Sequence, residues 1–309
     1  MLYLSTRNKT DSFTAFRAMH NDHTPDGGLY VPFRLTAFNE EELAQLKNMS
    51  FGEVVAKVLN LFASQQLTGW DIDFCIGRTP AKVESAGHKA VVAELWHNHD
   101  NKYLTTRNTL YSKLYSTSEE PSDWAKIAID TAILFGVYAL IPADEAFNIA
   151  LREDELSFAI AAVYARALGL PIGHILLSCS EMSPIWELVR TGQINTGALK
   201  RREFAYNSFL ERLIFDTYGF EDAQKYVDAY NRSETYTIEE EQIGKITDQL
   251  KAAVIGPDRA ENVIQSVIRS NGYVMSVDAA GAFGGLQDYR SKGGESRLTL
   301  LISGEKPVN

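Results

Sequence analysis

Apolar residues recur at helical spacing in several segments of the first half of the chain. In SFGEVVAKVLNLF, Ser50 is followed three residues later by Glu53, which forms a capping box, and the apolar positions after it predict a helix with one buried face. NEEELAQLKN, from Asn39, carries acids in its first turn and predicts a shorter helix. WAKIAIDTAILFGVYALI, from Trp124, is apolar almost all round and predicts a helix surrounded by protein. PDGGLYVP, from Pro25, predicts a tight turn.

The second half of the chain alternates between helical and strand-like patterns. A helix is predicted from near Asp154, followed by Gly169 at its carboxyl end and by a strand at His174–Ser178. DRAENVIQSVIRSNG predicts a helix that ends at Asn271–Gly272, and TYTIEEEQI predicts another that is capped by Thr237. This alternation predicts an α/β class.

Two apolar segments near the end of the chain have the composition of buried strands. They are YVMSV at Tyr273–Val277 and RLTLLIS at Arg297–Ser303. Between them, AAGAFGG at Ala279–Gly285 is predicted to connect a strand to a helix, where backbone N–H groups can hold a phosphate. Asp278, interpreted as the helix N-cap, would repel that anion, so close packing of a helix on the sheet is the favoured explanation of the glycines.

Composition and charge narrow the class of protein. The 309 residues, 45% hydrophobic and 23% charged, are typical of a globular chain with two domains. The formal charge of -10 argues against a primary role on nucleic acid or an anionic membrane, so small molecules or proteins are the expected partners. The longest apolar run, Thr131–Ala143, is too short for a membrane span, and the first residues lack a signal-peptide pattern. A cytoplasmic protein is therefore expected.

ELWHNHDNKYLTTR, at Glu94–Arg107, concentrates polar groups that could carry chemistry. His97 and His99 are predicted to share one face of a strand, with Asp100 directly after them, as a metal site would arrange them. The sequence does not nominate a third or fourth ligand, and surface or capping histidines are the favoured interpretation, so no metal is expected. The H-x-x-H at His20–His23 is explained equally well by an exposed loop.

Three segments near the start of the chain resemble the opening of threonine synthase in wording and order. They are YLSTRN at Tyr3–Asn8, SFTAFRA at Ser12–Ala18 and TPDGGLYVP at Thr24–Pro32. AELWH at Ala93–His97 and ALGLPIGHILLSCSE in the second half resemble later segments of the family. The resemblance implies an α/β fold, with a threonine-synthase-like N-terminal domain at 1–92 and a reduced remnant of the large α/β domain of the pyridoxal-phosphate lyase fold at 93–309.

The resemblance also implies a cofactor. Threonine synthase is a carbon–oxygen lyase that uses pyridoxal phosphate (PLP) to turn O-phosphohomoserine and water into threonine and phosphate. Alignment on His97 places the family's cofactor-lysine motif over HNHDNKYLT, which puts Leu104 at the position of the lysine. Leucine cannot form an imine. Lys102, two residues earlier, would share the face of Leu104 in an extended segment but not in a helix.

Other parts of the family's site are altered or missing. Only 20 residues, Leu104–Asp123, stand where the family has a small α/β domain with its phosphate loop, whereas one βαβ unit needs about 30. DELS at Asp154–Ser157 stands in place of Gly-Asn-Phe-Gly, and its two acids disfavour a phosphorylated ligand. SVDAA, from Ser276, and the terminal ISGEKPVN, from Ile302, replace two further site segments.

These departures predict a pseudoenzyme, a threonine-synthase-like protein without PLP or catalytic residues that acts by binding a protein partner or a small metabolite. A homodimer or association with an intact paralogue is the expected assembly, through surface exposed by the missing domain. One alternative is a divergent threonine synthase that uses PLP through Lys102. The other is a new hydrolytic or metal-assisted activity around His97, His99, Asp100, Lys102 and Arg107.

Overall fold

Parallel strands flanked by helices form the main body of the protein, for which the computed structural model describes residues 1–141, 145–202 and 204–307. The strands are β1 Leu2–Ser5, β2 Asn8–Thr14, β3 Tyr30–Pro32, β4 Lys82–Gly87, β5 Ala90–Glu94, β6 Phe147–Arg152, β7 Ile172–Cys179, β8 Gln193–Asn195, β9 Thr235–Thr237, β10 Leu250–Val254 and β11 Thr299–Ser303. The helices are α1 Ala15–His20, α2 Glu40–Leu46, α3 Phe51–Ala63, α4 Gly69–Ile76, α5 Tyr103–Tyr115, α6 Asp123–Leu140, α7 Leu156–Ala167, α8 Pro184–Thr191, α9 Thr196–Leu199, α10 Phe204–Tyr218, α11 Phe220–Arg232, α12 Ile243–Thr247, α13 Arg259–Asn271 and α14 Val277–Ser291.

The large sheet has the strand order β10-β7-β6-β11-β5-β4. Its strands run parallel except for β4, which pairs antiparallel with β5. β11 lies between β5 and β6 and pairs with both. Because the other five strands are parallel, their carboxyl ends meet at one edge, which is where ligands bind in open α/β sheets. The α/β class predicted from the sequence is confirmed.

Both faces of the large sheet are buried, because successive side chains of a strand point to opposite faces. Leu301 of β11 lies in a core that α13 and α14 complete with Val263 and Phe283. Its neighbours Leu300 and Ile302 lie in the larger core on the opposite face, to which α3, α6 and α7 contribute. Every strand end at the carboxyl edge is therefore fixed by packing from two sides.

Local signals predicted the helices of the first half correctly. α2 and α3 follow Asn39 and Ser50, and each begins with a complete capping box. α6 contains the segment predicted from Trp124 and is buried over most of its length. The predicted α7–β7 unit is also present, and α13 ends at Asn271, directly before Gly272 in the left-handed conformation with φ of 70°. These predictions are confirmed.

Two predictions for the second half are wrong. The segment from Tyr273 to Ser276 is a loop rather than a strand, because the Tyr273 hydroxyl donates to Glu94 and Ser276 caps α14. Thr237 ends β9 and does not cap a helix, since a 3₁₀ turn at Glu240–Gln242 precedes α12. In both segments a tertiary or strand contact overrides the local pattern.

The predicted glycine-rich connection, Ala279–Gly285, is the middle of α14 rather than a loop, and Ser276, not Asp278, is the N-cap. The glycines let this helix lie close to the sheet. A Cβ atom at Gly285 would lie 2.0 Å from Ser178 Oγ of β7. The interpretation as close helix–sheet packing is confirmed, and no phosphate loop is formed by this segment.

The N-terminal strands form a second sheet in the order β2-β1-β3. The turn predicted from Pro25 is present, and Gly27 has φ of 80°. A Cβ atom at Gly28 would lie 2.2 Å from Ser5 Oγ, so the turn packs directly on β1. Arg7 ties this sheet to α10, because its Nε and Nη2 atoms donate to Glu211 at 3.1 and 2.9 Å.

The segment Leu104–Asp123 contains most of α5 and the connection to α6, and it has no strand. β4 and β5 lie in the same sheet as strands of the second half, and the domain boundary at residue 92 remains a prediction. The ends of the predicted apolar run and of ISGEKPVN lie outside the described residues, at Pro142, Ala143, Val308 and Asn309. Within the described part of the chain, none of the helices combines the length and apolar character that a membrane crossing requires.

Candidate functional site

The loop between β6 and α7 brings charged side chains together at the carboxyl edge of the sheet. Arg152, the last residue of β6, donates from Nη1 to Asp278 Oδ1 and from Nη2 to Asp154 Oδ2, both at 2.8 Å. Asp278 is held there by the first turn of α14, where a Cβ atom at Gly281 would lie 2.9 Å from the Arg152 side chain. One guanidinium group thus serves two carboxylates.

Glu155, directly before α7, adds a further carboxyl group to this loop. Burial and the charge of Asp278 raise the pKa of Glu155 to about 8, although the Arg152 N–H donates to its Oε2 at 3.4 Å. The Glu155 carboxyl group is therefore mostly protonated at neutral pH, which weakens its repulsion with Asp278. The pKa of Asp278 is also raised, mainly by burial, with Arg152 opposing the rise.

A buried polar set joins α5, α6 and α7. Asp130 of α6 is fully buried and accepts from the Tyr103 hydroxyl at 2.5 Å and from Arg107 Nη1 at 3.3 Å. The same Arg107 nitrogen donates to Ser157 Oγ at 3.4 Å. Burial raises the pKa of Asp130, and the positive charge of Arg107 opposes that rise. These bonds fix the Arg107 guanidinium group at the start of α7.

A second polar set joins α6 to α10. Asp123 accepts from the Ser208 hydroxyl at 2.6 Å and from Arg212 Nη1 at 2.5 Å. Burial alone would raise the pKa of Asp123, but Arg212 and Ser208 hold that pKa below its ordinary value. Asp123 is therefore a charged carboxylate at neutral pH, neutralised by a guanidinium group that is itself fully buried.

A cavity of about 350 Å³ lies between these two polar sets. Its polar wall is formed by Arg107, Asp123, Lys126, Asp154, Ser157 and Ser208, and its apolar wall includes Ile127, Ile160, Phe204 and Phe209. The arginine and the two aspartates each have an ion-pair partner. Lys126 makes no hydrogen bond or contact ion pair from its side chain to a described residue, although its charge helps to lower the pKa of Asp123. The cavity therefore presents an ammonium group without a contact partner beside apolar surface and near a carboxylate that Arg212 already holds.

Of the polar residues nominated at Glu94–Arg107, only Arg107 lines this cavity, and the DELS segment reaches it through Asp154 and Ser157. Leu104, which the sequence resemblance places at the family's cofactor lysine, lies in the first turn of α5 and is 52% exposed. Lys102 lies just before α5 in an extended conformation, and its Nζ is 3.3 Å from Glu305 Oε1 at the surface. Because α5 begins between them, Lys102 does not take the place of Leu104 on one face of a strand.

His97 and His99 lie in the loop after β5, which ends at Glu94, so the prediction that they share a strand face is wrong. His97 Nε2 lies 2.9 Å from Glu94 Oε2, and Glu94 Oε1 accepts from the Tyr273 hydroxyl at 2.9 Å. His99 is exposed, with its Nε2 atom 3.4 Å from Asp100 Oδ2. The two histidines thus contact different carboxylates and do not face one shared site.

His20 and His23, the other histidine pair, do not face one shared site either. The His20 ring stacks on Phe16, and the His23 ring meets Phe204 edge to face. Across residues 1–141, 145–202 and 204–307, no group of three or more His, Cys, Asp or Glu side chains could hold a metal ion.

Several residues of the cavity and loop were not nominated from the sequence. They are Arg152, Asp123, Lys126 and Ser208. A signal existed for Lys126, because a charge in an otherwise apolar helix needs a partner or an opening to water. Arg152 directly follows the apolar segment FNIAL, at the end of a buried strand. Ser208 carried no local signal, since its position depends on how α10 packs on α6.

The mostly parallel sheet, with charged loops and a cavity at its carboxyl edge, places the chain among open-sheet α/β proteins whose ligands bind outside the carboxyl ends of the strands. Residues 2–79 match the family model for the threonine synthase N terminus. The fold is that of threonine synthase, as the following structures show. The resemblance and fold predicted from the sequence are thereby confirmed.

Three solved threonine synthases are similar to the chain in structure. The PLP-bound enzyme from Brucella melitensis has a TM-score of 0.81 at 16% identity, covering 99% of this chain and 89% of that one. The yeast enzyme has a TM-score of 0.83 at 11% identity, covering 99% and 87%. The Escherichia coli enzyme has a TM-score of 0.72 at 11% identity, covering 99% and 89%. No curated protein matches the chain in sequence.

Proposed function

We propose that the chain is a non-catalytic protein of threonine synthase fold that binds a small metabolite in the 350 Å³ cavity. The observation that carries this proposal is the position of Leu104, which is aligned with the cofactor lysine and lies half-exposed on α5. A hydrocarbon side chain there supplies no amine for an imine. A cytoplasmic location is part of the same proposal.

The residues at the carboxyl edge do not fit the phosphate of PLP either. Asp154, Glu155 and Asp278 surround Arg152, whose terminal nitrogens donate to two of these carboxylates. A phosphate dianion would have to displace Asp154 or Asp278 from Arg152 and lie beside the other of these two carboxylates. We therefore expect no catalytic residues and no bound PLP.

The charges around the cavity indicate which metabolites it accepts. Arg107, Asp123 and Asp154 each have a contact ion pair, whereas Lys126 makes none with a described residue and acts on Asp123 only at longer range. A carboxylate on the ligand would pair with the Lys126 ammonium group, and the aromatic wall near Phe209 would cover a short hydrocarbon chain. A small aliphatic carboxylate is the ligand class that this arrangement favours.

The first experiment tests the loss of the cofactor. The purified chain is mixed with PLP, its visible absorbance is recorded before and after borohydride reduction, and the intact mass is measured. We expect no aldimine absorbance and no covalent adduct. A stoichiometric adduct mapped to Lys102 or Lys126 would overturn the proposal and support a carbon–oxygen lyase of threonine synthase type.

The second experiment tests the ligand class. Saturation-transfer NMR is recorded with propionate and with its uncharged match, propionamide. Propionate should bind, and propionamide should bind more weakly. In Lys126→Gln the two compounds should bind with equal affinity. Lys82→Gln, on the exposed edge strand β4, is the matched control and should behave like the unaltered chain. Equal binding of both probes to the unaltered chain would contradict the assignment.

A second candidate function is a new activity at the end of β5. His97, Glu94 and Tyr273 form a hydrogen-bonded set in which a buried carboxylate orients an imidazole, as a general base requires. If His97 acts in this way, His97→Gln should remove any hydrolysis of activated esters, while His99→Gln should leave it unchanged. Equal hydrolysis by the unaltered chain and by His97→Gln would exclude this role.

We also propose that the α4 surface is the contact for a second copy of the chain or an intact paralogue. Trp70 and Phe74 are 69% and 66% exposed, and their rings stack with centroids 5.4 Å apart. An exposed aromatic pair of this size is typical of an interaction surface. Sedimentation at two concentrations should show a dimer that the double variant Trp70→Ser/Phe74→Ser abolishes. A strict monomer at both concentrations would count against self-association.

A further inference from the structure

A second cavity, of about 220 Å³, lies on the other side of the β6–α7 loop. It opens where β6, β7 and β10 end, against the first turns of α14. Its wall includes the side chains of Glu153 and Ser180 and an apolar part formed by Ile255, Pro257 and Val277. No residue of the 350 Å³ cavity lines it, so the two cavities are separate.

Glu153 is a carboxylate of this second cavity that has no ion pair with a described residue. Its Oε1 accepts from the Ser180 N–H at 3.0 Å, while its Oε2 is buried and lacks a hydrogen-bond partner among the described residues. The neighbouring cation, Arg152, already serves Asp154 and Asp278 with its two terminal nitrogens. A buried carboxylate oxygen without a donor is costly, so a donor from a ligand would be favoured there.

The surroundings of Glu153 show that its negative charge reaches the cavity wall. Burial raises the pKa of the Cys179 thiol to about 12, and the charge of Glu153 adds to that rise. Burial also raises the pKa of Tyr206 to about 12, again with a contribution from Glu153. Cys179 lines the same cavity. The charge of Glu153 therefore acts on a side chain of the cavity wall, which Arg152 also lines.

We propose that this cavity binds the ammonium group of a small aliphatic amine, with the Glu153 carboxylate as the acceptor once its side chain turns Oε2 towards the opening. The wall at Ile255, Pro257 and Val277 contacts the hydrocarbon chain, and the Ser180 hydroxyl lies at the same opening. The site uses none of the residues that would hold a carboxylate at Lys126. This amine site adds a second ligand to the proposed function. Its test does not depend on whether propionate binds at Lys126.

The test is calorimetric titration of the full chain with n-butylammonium, which carries its charge at neutral pH, and with n-butanol as the uncharged match. Saturable binding of butylammonium alone is expected. Glu153→Gln should weaken it by about tenfold or more, because the amide oxygen can still accept from Ser180 while the charge is lost. Glu181→Gln, an exposed neighbour, is the control and should bind as tightly as the unaltered chain.

A second variant keeps the test valid if Glu153→Gln alters the loop. Ala260→Leu places a larger side chain in the cavity wall without removing a hydrogen bond, and it should abolish butylammonium binding while circular dichroism stays unchanged. The proposal is overturned if butylammonium and butanol bind alike, or if Glu153→Gln binds butylammonium as tightly as the unaltered chain. Either result, obtained with intact propionate binding, would leave the Lys126 cavity as the remaining ligand site.

Discussion

The carboxyl group of Glu155 makes the stability of the chain depend on pH. Its pKa is about 8 in the folded chain against an ordinary value of 4.5, so between these pH values the folded chain holds a proton that the unfolded chain has released. Raising the pH over this window therefore lowers the free energy of unfolding. Asp130 and Asp278, whose pKa values are raised, act in the same direction. Asp123, whose pKa is lowered, adds stability that is lost at acidic pH.

Glu155→Gln should reduce this fall in stability, because glutamine has no proton to release, while the fall due to Asp216, whose pKa burial raises to about 7, remains. The measurement is urea unfolding at intervals between about pH 5 and about pH 8. Glu240→Gln, an exposed glutamate before α12, is the matched control and should show the same fall as the unaltered chain. An identical fall in Glu155→Gln would show that another group is responsible.

At the scale of elements, the packing of α14 on the sheet depends on a missing side chain. A Cβ atom at Gly285 would lie 2.0 Å from Ser178 Oγ and 2.9 Å from Ser178 Cβ. Gly285→Ala should therefore force the helix away from β7 and lower the free energy of unfolding by about 1–3 kcal/mol. Gly244→Ala, in α12 with nothing within 4 Å of the added Cβ, is the control and should not destabilise. Equal stability of both variants in urea unfolding would show that α14 is loosely packed.

Elements with local signals could be predicted from the sequence, whereas those fixed by distant contacts could not. The capping boxes at Asn39 and Ser50 involve residues three positions apart, so the local sequence is sufficient to predict where α2 and α3 begin. The loop from Tyr273 has the composition of a strand, but its course depends on a bond to Glu94, 179 positions away. Local composition carries no information about such a bond.

The candidate site was predicted only in part for the same reason. Arg107 was nominated within a polar segment and does reach the 350 Å³ cavity. Lys126 lies in a helix whose burial was predicted, but the direction of its side chain follows from the packing of α6 against α10. Glu153 becomes distinctive only when Arg152 is seen to pair with two other acids.

At the scale of the whole molecule, the N-terminal sheet is held to the main body by a buried carboxylate. Glu211 of α10 is fully buried and accepts from Arg7 and from the Thr6 hydroxyl. Arg7→Ala would leave this charge without its cation and should lower the free energy of unfolding by about 2–3 kcal/mol. Lys9→Ala, which removes an exposed pair with Glu221, is the control and should cost less than about 1 kcal/mol. Comparable urea midpoints for the two variants would contradict this role for Glu211.

The position of β11 has a consequence for synthesis on the ribosome. Thr299–Ser303 fill the gap between β5 and β6, which are made some 200 and 150 residues earlier. Until those five residues leave the exit tunnel, both older strands present open edges that any passing strand can occupy. The large sheet therefore stays divided between β5 and β6 during synthesis until Thr299–Ser303 are available to pair with both strands.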